Sequence, residues 1–171
     1  MRKTVELEIR PLASADWQDV RSIYLEGVAT GQATFETTAP SWEKWDQSHL
    51  PFARLVAAST SDDQVIGWAA LSQVSSRPVY SGVAEVSVYV SNEFKGTGVG
   101  QALLEHLVIA SEQNEIWTLQ ASVFPENEAS MRLHKRCRFR EVGVRTRIGK
   151  MGGIWRDTVL LERRSEVIGV D

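Results

Sequence analysis

The chain has 171 residues, of which 43% are hydrophobic and 24% charged, with 12 Gly and 5 Pro; this is one domain's worth of chain and excludes collagen-like, low-complexity and disordered sequences. A formal net charge of -3 gives no broad footprint for nucleic acid, and no apolar run approaches the ~20 residues that span a bilayer. The single cysteine, Cys137, cannot form an internal disulfide, His49, His106 and His134 lack metal-ligand spacing, and no apolar leader follows Met1-Arg2-Lys3-Thr4, so no metal, nucleic-acid or membrane partner is expected and a cytoplasmic location is.

Val5-Glu6-Leu7-Glu8-Ile9 alternates apolar and acidic side chains, the period of a half-buried strand, and Arg10-Pro11 is expected to break it. Past Ser14 and Asp16, either able to cap, Trp17, Val20, Ile23, Tyr24 and Val28 recur at helical spacing and predict a first helix ending near Gly31. Residues 32–40 read as a polar loop around one large apolar side chain, Phe35, before a short helix about Trp42 and Trp45. Arg54 to Ala58 and Val65 to Leu71 read as the arms of a hairpin, and Gly82 to Val90 as the next strand. Gly98 to Glu112 carries Val99, Leu103, Leu107 and Ala110 on one helical stripe. A strand at Trp117 to Val123, a helix at Asn127 to Cys137 and two closing strands at Phe139 to Ile148 and Trp155 to Leu161 complete the chain. Seven strands and about four helices, without repeat, charge block or linker, predict a single α+β domain over residues 1–171 around a central mixed sheet.

The sharpest local feature is a strand ending at Val90, then Lys95-Gly96-Thr97-Gly98-Val99-Gly100-Gln101, then a helix. Glycines in that order let main-chain N–H groups converge on an anion at a helix N-terminus, and Gly98 to Leu104 holds no carboxylate to compete. A tight turn is the plain alternative. A Walker loop requires Gly-Lys-Ser/Thr where this chain has Gly100-Gln101, and a dinucleotide fold requires an acid closing the next strand, which here ends Ser122-Val123-Phe124.

On these residues the chain resembles the GNAT superfamily of N-acetyltransferases, whose pyrophosphate loop reads Gln/Arg-x-x-Gly-x-Gly/Ala. Lys95-x-x-Gly98-x-Gly100 fits, with a lysine that keeps the charge but loses planar hydrogen bonding. Phe35-Glu36-Thr37, Arg77-Pro78-Val79-Tyr80, Glu85, Asn127 to His134 and Gly152 to Asp157 resemble the phosphinothricin and methionine sulfone (sulfoximine) branch. One departure stands at Cys137-Arg138-Phe139, where the branch usually has Gly before Phe, so a non-glycine occupies the expected left-handed cap.

The resemblance implies an α+β GNAT acetyltransferase fold, a central mixed, mostly antiparallel seven-stranded sheet flanked by about four helices, with acetyl-CoA as co-substrate, no metal, and a homodimer. It places the donor on Val88, Tyr89 and Val90, on Lys95, Gly96, Thr97, Gly98, Val99, Gly100 and Gln101, and on Asn127 and Ser130. It implies an acceptor that is a small amino-acid-like molecule, acetylated on its α-amino group in a pocket framed by Phe35, Glu36, Arg77, Pro78, Val79, Tyr80, Lys150, Met151 and Trp155. Glu85, a carboxylate in an apolar strand, is the expected base, against an ion-paired structural role. Tyr89 and Tyr80 are both candidates to protonate the leaving thiolate. His134 is either catalytic or a satisfied structural histidine, Asn127 can simply cap its helix, and Arg77 is either a carboxylate clamp or a solvated surface residue. Alternatives of other kinds are acetylation of a protein N-terminus, a lysine or a polyamine, and a non-catalytic CoA-binding sensor.

Overall fold

The computed structural model describes residues 5–171; the N-terminal reading of Met1 to Thr4 lies outside the described residues. The strands are β1 (Leu7–Pro11), β2 (Leu55–Ser59), β3 (Val65–Gln73), β4 (Val83–Val90), β5 (Thr118–Val123), β6 (Arg140–Met151) and β7 (Ile154–Arg164). The helices are α1 (Trp17–Ala29), α2 (Trp42–Ser48), α3 (Val99–Gln113) and α4 (Glu128–Arg136). Among the described residues all seven strands join one sheet in the order β1-β2-β3-β4-β5-β7-β6, and only β4 and β5 run parallel. The order of elements is the one that hydrophobic period predicts.

Several strand boundaries differ from expectation. Arg10 and Pro11 extend β1 instead of ending it, because β1 is an edge strand paired only with β2, where a missing N–H costs no ladder bond. β6 runs on to Met151 along an exposed arm whose polar and apolar residues do not alternate cleanly, and β7 runs on to Arg164 because Glu162, Arg163 and Arg164 pair with Gln120, Leu119 and Thr118 of β5. That arm is bent by a bulge between Arg145 and Gly149, where Arg147 has a φ of 51° and its N–H donates to Asp157 Oδ1 at 2.7 Å.

Alternation along the strands splits the apolar side chains between two layers. On one face Val99, Leu103, Leu104 and Leu107 of α3 cover Ile66, Ala69, Val86, Leu119 and Leu161. On the other, Val20 and Ile23 of α1 and Trp45 of α2 cover Val56, Trp68 and Ala70. Trp17, Trp42, Trp45 and Trp68 cluster there with ring centroids 5.6 to 5.9 Å apart, so four of the six tryptophans are packing residues. Asp16 anchors the entry to α1 by accepting from both guanidinium nitrogens of Arg10 (2.9 and 3.0 Å) and from Ala13 N–H (2.8 Å). Arg138, with a φ of 67°, does take the left-handed cap of α4: Phe139 N–H donates to His134 O and Arg138 N–H to Lys135 O, the paired bonds of a Schellman turn.

Candidate active site

The parallel strands β4 and β5 are paired from Val83↔Thr118 to Glu85↔Gln120 and no further, although β4 continues to Val90 and β5 to Val123. Beyond Glu85 the two strands diverge, and a cleft of about 790 Å³ opens between them. Glu85 is the last paired residue, so the fork places a carboxylate where the two halves of the cleft meet. Alternation puts it on the same face as Gln120 and Ser122. Its Oε1 accepts from Ser122 Oγ at 3.2 Å and, more weakly, from Gln120 Nε2 at 3.5 Å.

One half of the cleft is built largely from main chain. Past the fork, the backbone of Val88 and Val90 has no β5 partner and lines the opening. Gly96 and Gly98 have φ values of 75° and 94°, a conformation that costs a residue with a side chain about 1–2 kcal/mol. A β-carbon on either would meet nothing within 4 Å, and both glycines line the cleft, so the space beside the loop is open. Gly98 caps α3, whose first turn carries no acidic residue and presents N–H groups without helical partners. These are the features that hold a pyrophosphate.

The other residues expected on the donor side divide by position. Tyr89, Lys95, Gly100, Asn127 and Ser130 line the cleft. Thr97, Val99 and Gln101 do not: the Thr97 hydroxyl donates to Phe94 O, Val99 is wholly buried, and the Gln101 amide donates to Glu105. Asn127 caps α4, its Oδ1 accepting from Ser130 N–H at 3.1 Å, and its Nδ2 also donates to Gln32 O at 3.2 Å. His134 lines the cleft but is 5% exposed; its Nδ1 donates to Ser130 O at 2.8 Å, and its Nε2 is buried without a partner among the described residues. Burial holds its imidazole below the ordinary pKa, in the neutral form.

The second half of the cleft is made of side chains from distant segments. Thr34, Phe35 and Glu36 form its wall, with the Phe35 ring edge-on to Phe124 at 4.8 Å. Gly149 of β6 gives that ring room, since a β-carbon there would stand 2.6 Å from Phe35 Cζ. Tyr89 stacks on Trp68 at 4.9 Å, with its edge toward Tyr24, and burial pushes its phenol pKa well up. Arg77, Pro78, Val79 and Tyr80 lie on an exposed turn outside the cleft, the Arg77 guanidinium 5.4 Å from the Tyr80 ring. Lys150 and Trp155 also stand outside it, 5.5 Å apart near the tip of the β6–β7 arm, with Trp155 half exposed beside a small outer cavity.

Sequence reasoning missed four contributors. Gln120 and Ser122 meet Glu85 through a strand register that no local pattern reveals. Thr158 lines the cleft with a buried hydroxyl that has no partner among the described residues. Arg156 reaches the 30–36 segment across more than 120 residues of chain, and its only local signal was its place in the Gly152 to Asp157 stretch. Among the described residues no group of three His, Cys, Asp or Glu side chains could hold a metal ion, and no helix is long and apolar enough to cross a membrane.

Residues 9–160 match the acetyltransferase (GNAT) domain family. The chain is 30% identical over 169 residues to a phosphinothricin N-acetyltransferase of Streptomyces coelicolor, covering 95% of this chain and 99% of that one. It is 26% identical over 158 residues to an L-methionine sulfoximine/L-methionine sulfone acetyltransferase of Pseudomonas paraeruginosa, covering 90% and 92%. Among solved structures, a GNAT superfamily phosphinothricin acetyltransferase from Sinorhizobium meliloti in complex with AcCoA superposes with a TM-score of 0.83 at 29% identity, covering 92% of this chain and 88% of that one.

Proposed function

The chain belongs to the GNAT family of acetyl-CoA-dependent acetyltransferases, and on that premise we propose that it acetylates the α-amino group of a small amino-acid analogue bearing a compact oxidised sulfur or phosphorus group, such as phosphinothricin, methionine sulfone or methionine sulfoximine. The observation that carries this reading is the fork at Glu85, which sets a carboxylate between a main-chain anion cradle and a pocket of side chains. The acceptor class is supported by the relatives, whose names specify phosphinothricin and the two oxidised methionines.

In this reading the Glu85 carboxylate takes a proton from the acceptor ammonium, directly or through water, and frees the nitrogen lone pair for the acetyl carbon. Acetyl-CoA, when bound, supplies the acetyl group as a thioester; a C–N bond forms and the C–S bond breaks. Tyr89, which lines the cleft as a neutral phenol, gives its proton to the departing sulfur and regains one as the acylated nitrogen sheds its second proton. The Val88 and Val90 backbone and the Gly96 to Gly100 loop hold the donor, with Asn127, Ser130 and His134 shaping its far wall. Cys137 takes no part: burial pushes its thiol up to about 11, which favours direct transfer within a ternary complex over a thiol-bound acetyl group. We further take residues 1–171 as one domain, working in the cytoplasm as a homodimer. The exposed Val142, Val144 and Ile148 along the outer strand β6 support an interface there.

A second acceptor reading has one observation in its favour. The cations lining the cleft, Lys95, Arg132 and Arg136, stand on the glycine loop and α4, whereas the acceptor wall carries Glu36 and Glu85 and Arg77 stands outside. Such a wall suits a polyamine or a lysine. Thiol release compared for methionine sulfone, methionine, the sulfone's carboxyl amide and a polyamine decides between them, on wild type and Arg77→Ala. The proposal expects kcat/KM highest for the sulfone, with methionine lower by up to ~10⁴-fold because polar groups sized to its oxygens are left unpaired. Arg77 stands outside its own chain's cleft, so as a carboxylate clamp it must reach the acceptor from a second protomer of the proposed homodimer, and on that footing Arg77→Ala should erase the preference for sulfone over amide. If amide or polyamine matches the sulfone on wild type, the carboxylate clamp is wrong and the second reading replaces it.

A further inference from the structure

We propose that Arg156 is a positioning residue that sets the affinity for the acceptor, and not for acetyl-CoA, by tying the 30–36 segment to the end of β5 and to the β6–β7 arm. The inference rests on the reading that this segment walls the acceptor. Arg156 does not line the main cleft, and its side chain is only 13% exposed. Its Nη1 donates to Gly31 O at 3.1 Å, and its Nη2 donates to Gln32 Oε1 at 2.7 Å and to Glu126 Oε2 at 3.3 Å. The guanidinium carbon lies 4.0 Å from the centre of the Phe124 ring, the same ring that Phe35 meets edge-on.

One planar cation therefore holds the segment's backbone, one of its side chains, and the aromatic floor on which Phe35 rests. Gly149 is the cross-strand partner of Arg156 and is also the residue that makes room for Phe35. The segment is held by a directly opposed pair on the arm, with Asn127 fixing Gln32 O from the other side. A short ammonium can keep the attraction to Glu126, but it lacks the fork that spans Gly31 and Gln32. The arm thereby becomes part of the acceptor site without touching the reacting atoms.

The test uses Arg156→Met and Arg156→Lys, with KM for whichever acceptor turns over best, the acetyl-CoA Kd by calorimetry, and amide hydrogen exchange. Arg156→Met should raise the acceptor KM about tenfold or more, since a misplacement of about 1 Å costs up to ~10²-fold. The acetyl-CoA Kd should stay within about twofold, and exchange at Gly31, Gln32 and Glu36 should accelerate about tenfold while α1 is unchanged. Arg156→Lys should fail to restore either property. Parallel rises in KM and Kd, exchange accelerated throughout the chain, or full rescue by lysine would each overturn the proposal. If wild type acetylates none of the acceptors, the functional reading has failed instead, and exchange at residues 30–36 still decides whether Arg156 holds them.

Discussion

The two halves of the cleft are built by opposite means. In the proposed function the donor takes the half that is largely backbone from one continuous stretch, 88–101, where glycines leave open space. The acceptor takes the half built from side chains of the 30–36 segment, β4, β5 and Thr158 of β7, with Ser122 bonding Glu85 and Arg156 bonding Gly31 O. A main-chain surface is indifferent to which side chains flank it and intolerant of added β-carbons. A side-chain surface can be retuned one residue at a time. The contrast fits a family that keeps one donor while changing acceptors.

The largest separation of the halves should come from Gly98→Val. Added bulk where nothing now lies within 4 Å should weaken acetyl-CoA binding about 10²-fold by calorimetry, while the positive φ costs stability only about 1–2 kcal/mol. Equal affinity in the folded variant would remove this loop from the donor site.

Asp16→Asn marks the opposite extreme, a change outside both halves. It breaks the bidentate pair with Arg10 and should lower unfolding stability by about 2 kcal/mol in chemical denaturation, with neither ligand affinity altered. The Arg10 guanidinium holds the Asp16 carboxyl below its usual value of 3.8. Its contribution in wild type is therefore complete above about pH 3.8 and is lost as pH falls through the lower folded-state pKa. The variant should lack that acid limb.

Gly149→Ala probes the acceptor half by the device used at Gly98. Here the new β-carbon collides with Phe35, so the acceptor KM should rise several-fold, about 1 kcal/mol, with the acetyl-CoA Kd unchanged. A change in Kd of the same size would show that the halves are not separable. The smallest effect is expected at Arg138→Gly, which relieves a left-handed non-glycine cap and should raise stability by about 0.5–1 kcal/mol with turnover intact.

The same contrast decides how much could be read from sequence. The glycine loop was legible because strand, loop and helix follow one another directly, whereas the left-handed Arg138 was expected only by resemblance, from the Gly that the family branch usually has before Phe. The seven strands and four helices also followed from hydrophobic period. Glu85 could be singled out as a carboxylate among valines, but not its bonds to Ser122 and Gln120, which depend on where β4 and β5 part. Arg77 and Tyr80 were expected against the acceptor by resemblance, whereas the turn at 78–80 carries their side chains outward in a single chain. Pro11 misled because sequence does not say which strand is an edge.

The central claim, that Glu85 at the fork serves transfer and not donor binding, is tested most directly by one paired measurement on Glu85→Gln: acetyl-CoA affinity by calorimetry and turnover with the best acceptor under the same conditions. The account predicts a Kd within about twofold of wild type and turnover lowered by roughly 10²-fold or more. Turnover equal to wild type, or a loss explained entirely by weaker acetyl-CoA binding, would contradict it.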